Sequence, residues 1–251
     1  MTCKAVVFAV LSAIAAVGAG CVQESGAPFT DGESVATYRG AIRGGQIASD
    51  YPEAVLINMK QRGRVVAVCS GALIAPTVVL TAGHCVAGFD GWDVRAPYAS
   101  GQGASASEAA TEYASQDEGA VNPDAHDVGL VFLDAPIDLD TYPTLASAPL
   151  EDGSSVVNIG RIKDGVRSDK NLFFSQPLTV KGATKIGYPY DYVTHEIIQP
   201  GDSGGPVMEH GTHTIVAVNS GAGGGVEVLA RVDLVKSWIE EQVAAHDDAE
   251  R

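Results

Sequence analysis

The sequence predicts an all-β fold, a barrel or a sandwich, closed by a single C-terminal α-helix. Three observations predict it. Short apolar runs recur along the chain, separated by clusters of Gly, Pro, Asp and Ser. The 29 glycines among 251 residues suit many tight turns. Only one stretch, LVKSWIEEQVAAH after Asp233, carries apolar residues at helical spacing.

The chain opens with MTCKAVVFAVLSAIAAVGAG, in which Lys4 is the single charge. The apolar run Ala5 to Val17 falls short of the ~20 residues that span a membrane. It fits the apolar region of a secretory signal over residues 1–20. Gly18-Ala19-Gly20-Cys21 resembles a bacterial lipoprotein box, with Gly18 where that box usually carries Leu. Lipidation at Cys21 would give a membrane anchor; ordinary signal cleavage near Ala19 or Gly20 is the alternative. The protein is therefore expected to be exported: secreted, periplasmic or anchored as a lipoprotein. Residues 21–41 are polar and without periodicity, which reads as a linker or propeptide.

Ordered pattern begins near Ile42. One set of strand-like runs covers 54–59, 64–68, 72–74, 78–81 and 128–133. The stretch from Gly88 to Ala125 is rich in Ala, Ser and Gly and reads as long surface loops. A second set covers 156–159, 172–174, 178–180, 195–198, 206–208, 214–218 and 226–231. Asp233 is placed to cap the terminal helix, with Leu234, Trp238 and Ile239 on one face and Val243 near it.

The four cysteines are Cys3, Cys21, Cys69 and Cys85. Cys3 leaves with the signal, and export permits a disulfide between Cys69 and Cys85. The excess of 31 acidic over 16 basic side chains, net -15, repels phosphate backbones and excludes nucleic acid as a partner. No clustered metal ligands or calcium loop stand out. His195, His210 and His213 read as surface side chains, and no metal or cofactor is expected.

Three short motifs carry chemistry. In Thr81-Ala82-Gly83-His84-Cys85 a histidine follows an apolar strand and adjoins a cysteine. In His126-Asp127-Val128 an acid precedes a fully apolar strand, where burial makes a pairing partner necessary. In Gln199-Pro200-Gly201-Asp202-Ser203-Gly204-Gly205-Pro206 a serine sits in a glycine-rich turn. A serine hydroxyl needs a base to become a nucleophile, and imidazole titrates in the right range. The imidazole needs a carboxylate to hold its tautomer, and the oxyanion needs backbone N–H donors.

TAGHC, HDVGLVFL and GDSGGP, in that order, resemble the signatures of the chymotrypsin/trypsin-like serine peptidases, here of a bacterial secreted type. The resemblance implies two six-stranded antiparallel β-barrels with a C-terminal α-helix. It covers a protease domain over 42–243, with one barrel over about 42–145 and the other over about 150–231. The helix, 234–246, runs into a terminal tail over 244–251. It implies Ser203 as nucleophile, His84 as general base and acid, and Asp127 as its orienting carboxylate. The N–H groups of Gly201 and Ser203 would form the oxyanion hole, and Cys69 would pair with Cys85. Ile42, freed by cleavage after Ala41, would insert its ammonium beside Asp202, so the chain is expected to be a zymogen.

The primary pocket would have its base at Ile197, six residues before the nucleophile, with Ile198 next to it. Gly221 and Gly225 would line its entrance. This implies an endopeptidase that prefers small or medium apolar side chains in protein or peptide substrates. A one-residue shift would bring Glu196 to the pocket and favour basic side chains. Asn219-Ser220-Gly221 reads as the strand that pairs with substrate backbone, with Ser220 where the family commonly has Trp. Gln199 stands where a cysteine is common, so the disulfide beside the nucleophile turn is absent. The alternative to an enzyme is a non-catalytic binding protein of the same fold.

Overall fold

The computed structural model describes residues 45–112 and 125–249. The expected signal over residues 1–20, Cys21, the segment 21–41 and Ile42 lie outside the described residues. The first barrel is built from β1 (Ala54–Gln61), β2 (Arg64–Ala75), β3 (Val78–Thr81), β4 (Gly91–Arg95), β5 (Gly103–Thr111) and β6 (Gly129–Leu133). Its strands run in the order β1-β2-β3-β6-β5-β4 and close on β1. All pairs are antiparallel. The β1–β2 hairpin turns on Arg62 and Gly63, both at positive φ, the two-residue geometry whose twist matches the strands.

The region expected to be long surface loops thus contributes two strands, β4 and β5. Ala, Ser and Gly have weak strand preference, but pairing with β1 and β6 decides the conformation. Trp92, Val94 and Ala106 are buried and fill this side of the barrel.

The second barrel uses β7 (Ser155–Gly160), β8 (Leu178–Thr179), β9 (Lys181–Gly182), β10 (Asp191–His195), β11 (Pro206–Glu209), β12 (Thr214–Gly223) and β13 (Val226–Arg231). The order is β7-β11-β12-β13-β10-β9, with β8 paired to β7. Strands β8 and β9 are halves of one bent segment. Leu178 and Thr179 pair with Val156 and Ser155, and Lys181 and Gly182 pair with Val193 and Tyr192. Val180 at the bend is buried and donates its N–H to Ser154. The bent segment closes six strands into a ring, so the fold is the two-barrel fold with one terminal helix.

That helix, α1, spans Lys236–Ala249. It starts later than expected, because Asp233 receives the guanidinium of Arg231 instead of capping. Its inner face carries Val235, just before it, and Ile239, while Leu234 is exposed.

One apolar core runs from Ile57, Leu73 and Leu130 of the first barrel through Val157, Ile159 and Met208 of the second to Ile239. Polar groups also cross the interface. Arg161 is fully buried and donates to the carbonyls of Ile57 and Cys69, each at 3.2 Å. Its Nε donates to Ser168 O and its Nη2 to Asp169 Oδ1. A guanidinium can be buried when its donors are occupied in this way.

Cys69 and Cys85 are disulfide-bonded and close a sequence separation of 16 residues. A loop of this size accounts for roughly 3 kcal/mol of stability by chain entropy. The double variant Cys69→Ser/Cys85→Ser should lose about that amount in urea unfolding. It should unfold the loop that carries His84 first, read by amide exchange.

Candidate active site

His84 lies in a one-turn 3₁₀ segment, Gly83–Cys85, at the end of β3. Three restraints hold it. Cys85 is bonded to Cys69 of β2, Trp92 of β4 donates its indole N–H to Cys85 O at 3.0 Å, and Asp127 accepts from His84 itself. The Asp127 Oδ1 atom accepts the His84 backbone N–H at 2.9 Å, and Oδ2 lies 2.8 Å from His84 Nδ1. The imidazole keeps about a third of its surface exposed, while the Asp127 side chain has none. Burial pushes the imidazole down, but the hydrogen bond and charge of Asp127 outweigh it, so His84 stands above its ordinary value.

Asp127 has a third donor that sequence reading missed. Ser220 Oγ donates to Asp127 Oδ2. The pairing of β12 with β13 slips between Asn219 and Gly221, so Ser220 is the extra residue of a β-bulge. A bulge re-aims one side chain out of the strand's alternation. The expectation that Ser220 stands where the family commonly has Trp is therefore corrected: it is buried and turned toward Asp127. Its signal in the sequence is a one-residue register shift, which residue spacing does not reveal.

The turn carrying Ser203 is fastened to the first barrel next to His84. Ser203 O accepts Ser70 N–H at 2.8 Å, and Gly201 O accepts Ser70 Oγ at 3.0 Å. Gly204 sits at φ 76° against β3, where a Cβ would lie 2.0 Å from Thr81 Oγ1. Gly205 is just as confined, since its Cβ would fall 1.9 Å from Ile159 O. Thus both glycines after the serine are dictated by close backbone approach. Gly204 N–H is used by Asn219 O and Asp202 N–H by Gln199 O. Among the described residues nothing accepts the N–H of Gly201 or of Ser203. Two backbone donors on one turn are thereby left for a ligand's oxygen.

Asp202 is fully buried behind this turn. Oδ1 accepts Ile162 N–H at 2.8 Å and Oδ2 accepts Gln199 N–H at 2.9 Å. Burial nonetheless pushes its carboxyl up to about 7. Ile42, its expected partner, lies outside the described residues.

Ile197 and Ile198 are buried in the second barrel's own core, with Val156, Tyr192 and Leu229. Gly225 is at the exposed tip of the β12–β13 hairpin, and Gly221 pairs with Val228 in it. Glu196 is tied to that tip: its Oε2 accepts Gly225 N–H at 2.9 Å and its N–H reaches Gly225 O. The acid beside Ile197 and Ile198 is instead Glu227 of β13, which residue spacing did not single out.

His213 is a surface side chain, as expected, and its Nδ1 lies 2.8 Å from buried Glu53. Asp191 is buried, and its Oδ2 has no partner among the described residues. Burial first, then the charge of Asp127, push Asp191 up to about 7, against the pull of Arg231. Cys69, His84 and Cys85 bring their ligand atoms within 4.8 Å of one another. The two sulfurs are joined to each other and offer no thiolate to a metal.

Asp191, Asp202 and Glu227 all reach about 7 from ordinary values of 3.8, 3.8 and 4.5. The folded state thus holds protons that the unfolded state releases. Their stabilising effect is complete below about pH 4 and is lost as pH rises through about 7. His84, also raised, acts in the same direction; His126, lowered chiefly by burial, opposes it. The melting temperature of the unprocessed chain should therefore fall between about pH 5 and about pH 8, as calorimetry would read.

A family model, Trypsin, matches residues 42–239. No relative is found among curated protein sequences. Solved structures share the fold at low identity. An inactivated protease paralogue of the scabies mite superposes with TM-score 0.65 at 20% identity, covering 80% of this chain and 97% of that one. Human heparin binding protein gives 0.61 at 24%, with 79% and 95% covered. Neuropsin, a serine protease of mouse brain, gives 0.62 at 18%, with 80% and 99% covered. With most of its length matched by that family model, the chain belongs to the trypsin family.

Proposed function

We propose that this protein is a serine endopeptidase that works through an acyl-enzyme. The observation that carries the reading is the bonding of Asp127 to both the backbone and Nδ1 of His84, beside the turn that holds Ser203. Asp127 keeps the proton on Nδ1 and leaves Nε2 to act as base. Ser203 Oγ attacks the scissile carbonyl and gives its proton to Nε2. The N–H groups of Gly201 and Ser203 bind the tetrahedral oxyanion. His84 then protonates the leaving amine, and water, deprotonated by the same nitrogen, releases the acyl group. The pocket over Ile197 and Ile198 prefers small or medium apolar side chains. Glu196 faces the hairpin tip instead, which disfavours the basic alternative.

Cleavage after Ala41 activates the chain. Among the described residues Arg161 acts on buried Asp202 without forming an ion pair with it; the freed ammonium of Ile42 supplies that pair and pulls the carboxyl back down. Export through the N-terminal signal, with Cys21 as a lipid anchor, completes the proposal.

A second reading is a non-catalytic binding protein, because two of the structural neighbours are an inactivated protease paralogue and a heparin binding protein. Against it, His84, Asp127 and Ser203 are all present. A net charge of -15 also repels anionic polymers such as heparin.

The full chain, expressed with export, should yield a mature protein starting at Ile42. That protein should take up a fluorophosphonate on Ser203 and cleave a peptide library after Ala, Val or Leu. Ser203→Ala should abolish both. Asp127→Asn should lower kcat by about 10⁴, a magnitude taken from this catalytic arrangement generally. Cleavage mainly after Lys or Arg would refute the apolar pocket, and failure of wild type to label would favour the binding protein.

A further inference from the structure

Glu227 is fully buried, and it accepts from three segments of the second barrel. Its Oε1 accepts from Asn158 Nδ2 and Thr194 Oγ1, each at 2.5 Å. Its Oε2 accepts the backbone N–H groups of Ile197 at 3.1 Å and Ile198 at 3.2 Å. The next residue, Gln199, donates its N–H to Asp202. Three consecutive N–H groups outside any strand, just before the nucleophile turn, are thus held by two buried carboxylates. No cysteine stands after Cys85, so this segment has no covalent brace.

We propose that Glu227 is a positioning residue for the substrate's primary side chain. By accepting the N–H groups of Ile197 and Ile198 it sets the wall against which that side chain rests. This rests on the endopeptidase reading and sharpens its substrate class. Each oxygen already accepts two donors, and the group has no exposed surface, so it cannot also serve as counter-ion to lysine or arginine. The acid under the wall therefore goes with an uncharged pocket. Replacing the carboxylate by an apolar group would leave two buried N–H groups without acceptors and release the wall.

The charged groups around Glu227 are few. Asp202 faces it from the nucleophile turn, and the two repel. Asn158 on β7 and Thr194 on β10 are neutral donors. Burial pushes Glu227 up to about 7, while its four donors hold it down. Each further drop in pH then weakens the grip on Ile197 and Ile198.

The test uses the exported, processed protein, with Ser203 labelling as an independent count of working sites. In Glu227→Leu, labelling by a small fluorophosphonate should persist. KM for peptides cut after Val or Leu should rise by about tenfold, with kcat changed far less. Glu227→Gln, which keeps one oxygen for the two N–H groups, should recover most of that loss. An unchanged KM in labelled Glu227→Leu would overturn the proposal. If that variant fails to fold, amide exchange in wild type decides. Ile197 and Ile198 should be protected as well as β12, and exchange as fast as in exposed loops would overturn it. Absence of labelling in wild type would instead sink the endopeptidase reading, and the pocket with it.

Discussion

A buried carboxylate must be surrounded by donors, and in this protein one such group ties the two barrels together. Asp127 stands at the entry to β6 with its side chain wholly removed from water. It accepts from the backbone and ring of His84 on the first barrel and from the hydroxyl of Ser220 on the second. Leaving such a charge unpaired would cost several kcal/mol. The fold must therefore bring the end of β3 and the bulge of β12 to the same point. The disulfide, the Trp92 indole and the Ser70 contacts are the restraints that hold this arrangement.

The same logic runs through the turn that carries Ser203. Its carbonyls and most of its N–H groups are used internally, by Ser70, Asn219 and Gln199. The two donors left over lie on either side of Asp202. Close packing of Gly204 on Thr81 and of Gly205 on Ile159 explains why this turn tolerates no side chain there. Beneath it, Asp202 and Glu227 take up the N–H groups of Ile197, Ile198 and Gln199. Hydrogen bonds to buried carboxylates thus do the bracing that a cross-link could do elsewhere. A brace of this kind responds to pH, and a covalent one does not.

Much of this was legible in the sequence. The three short motifs identify the residues that meet, because each pairs an unusual chemical group with a strand end or a turn. The recurring apolar runs identify the β class. What was not legible depends on register. β4 and β5 are made largely of Gly, Ala and Ser, and only their pairing with β1 and β6 makes them strands. The bulge that turns Ser220 inward is a one-residue slip. Glu227 looks like an ordinary strand acid until β13 places it against β10 and the segment after it. Asp233 looks like a helix cap, but Arg231 two residues earlier competes for it and wins.

The proposed chemistry requires His84 and Asp127 to make Ser203 nucleophilic. The most direct measurement is rapid-quench kinetics with an ester substrate, with the acylated residue identified by mass spectrometry. The expected result is a burst of one acyl group per mature chain, carried on Ser203 and absent from His84→Ala. Steady turnover with no acyl-enzyme, or acylation at another residue, would contradict it.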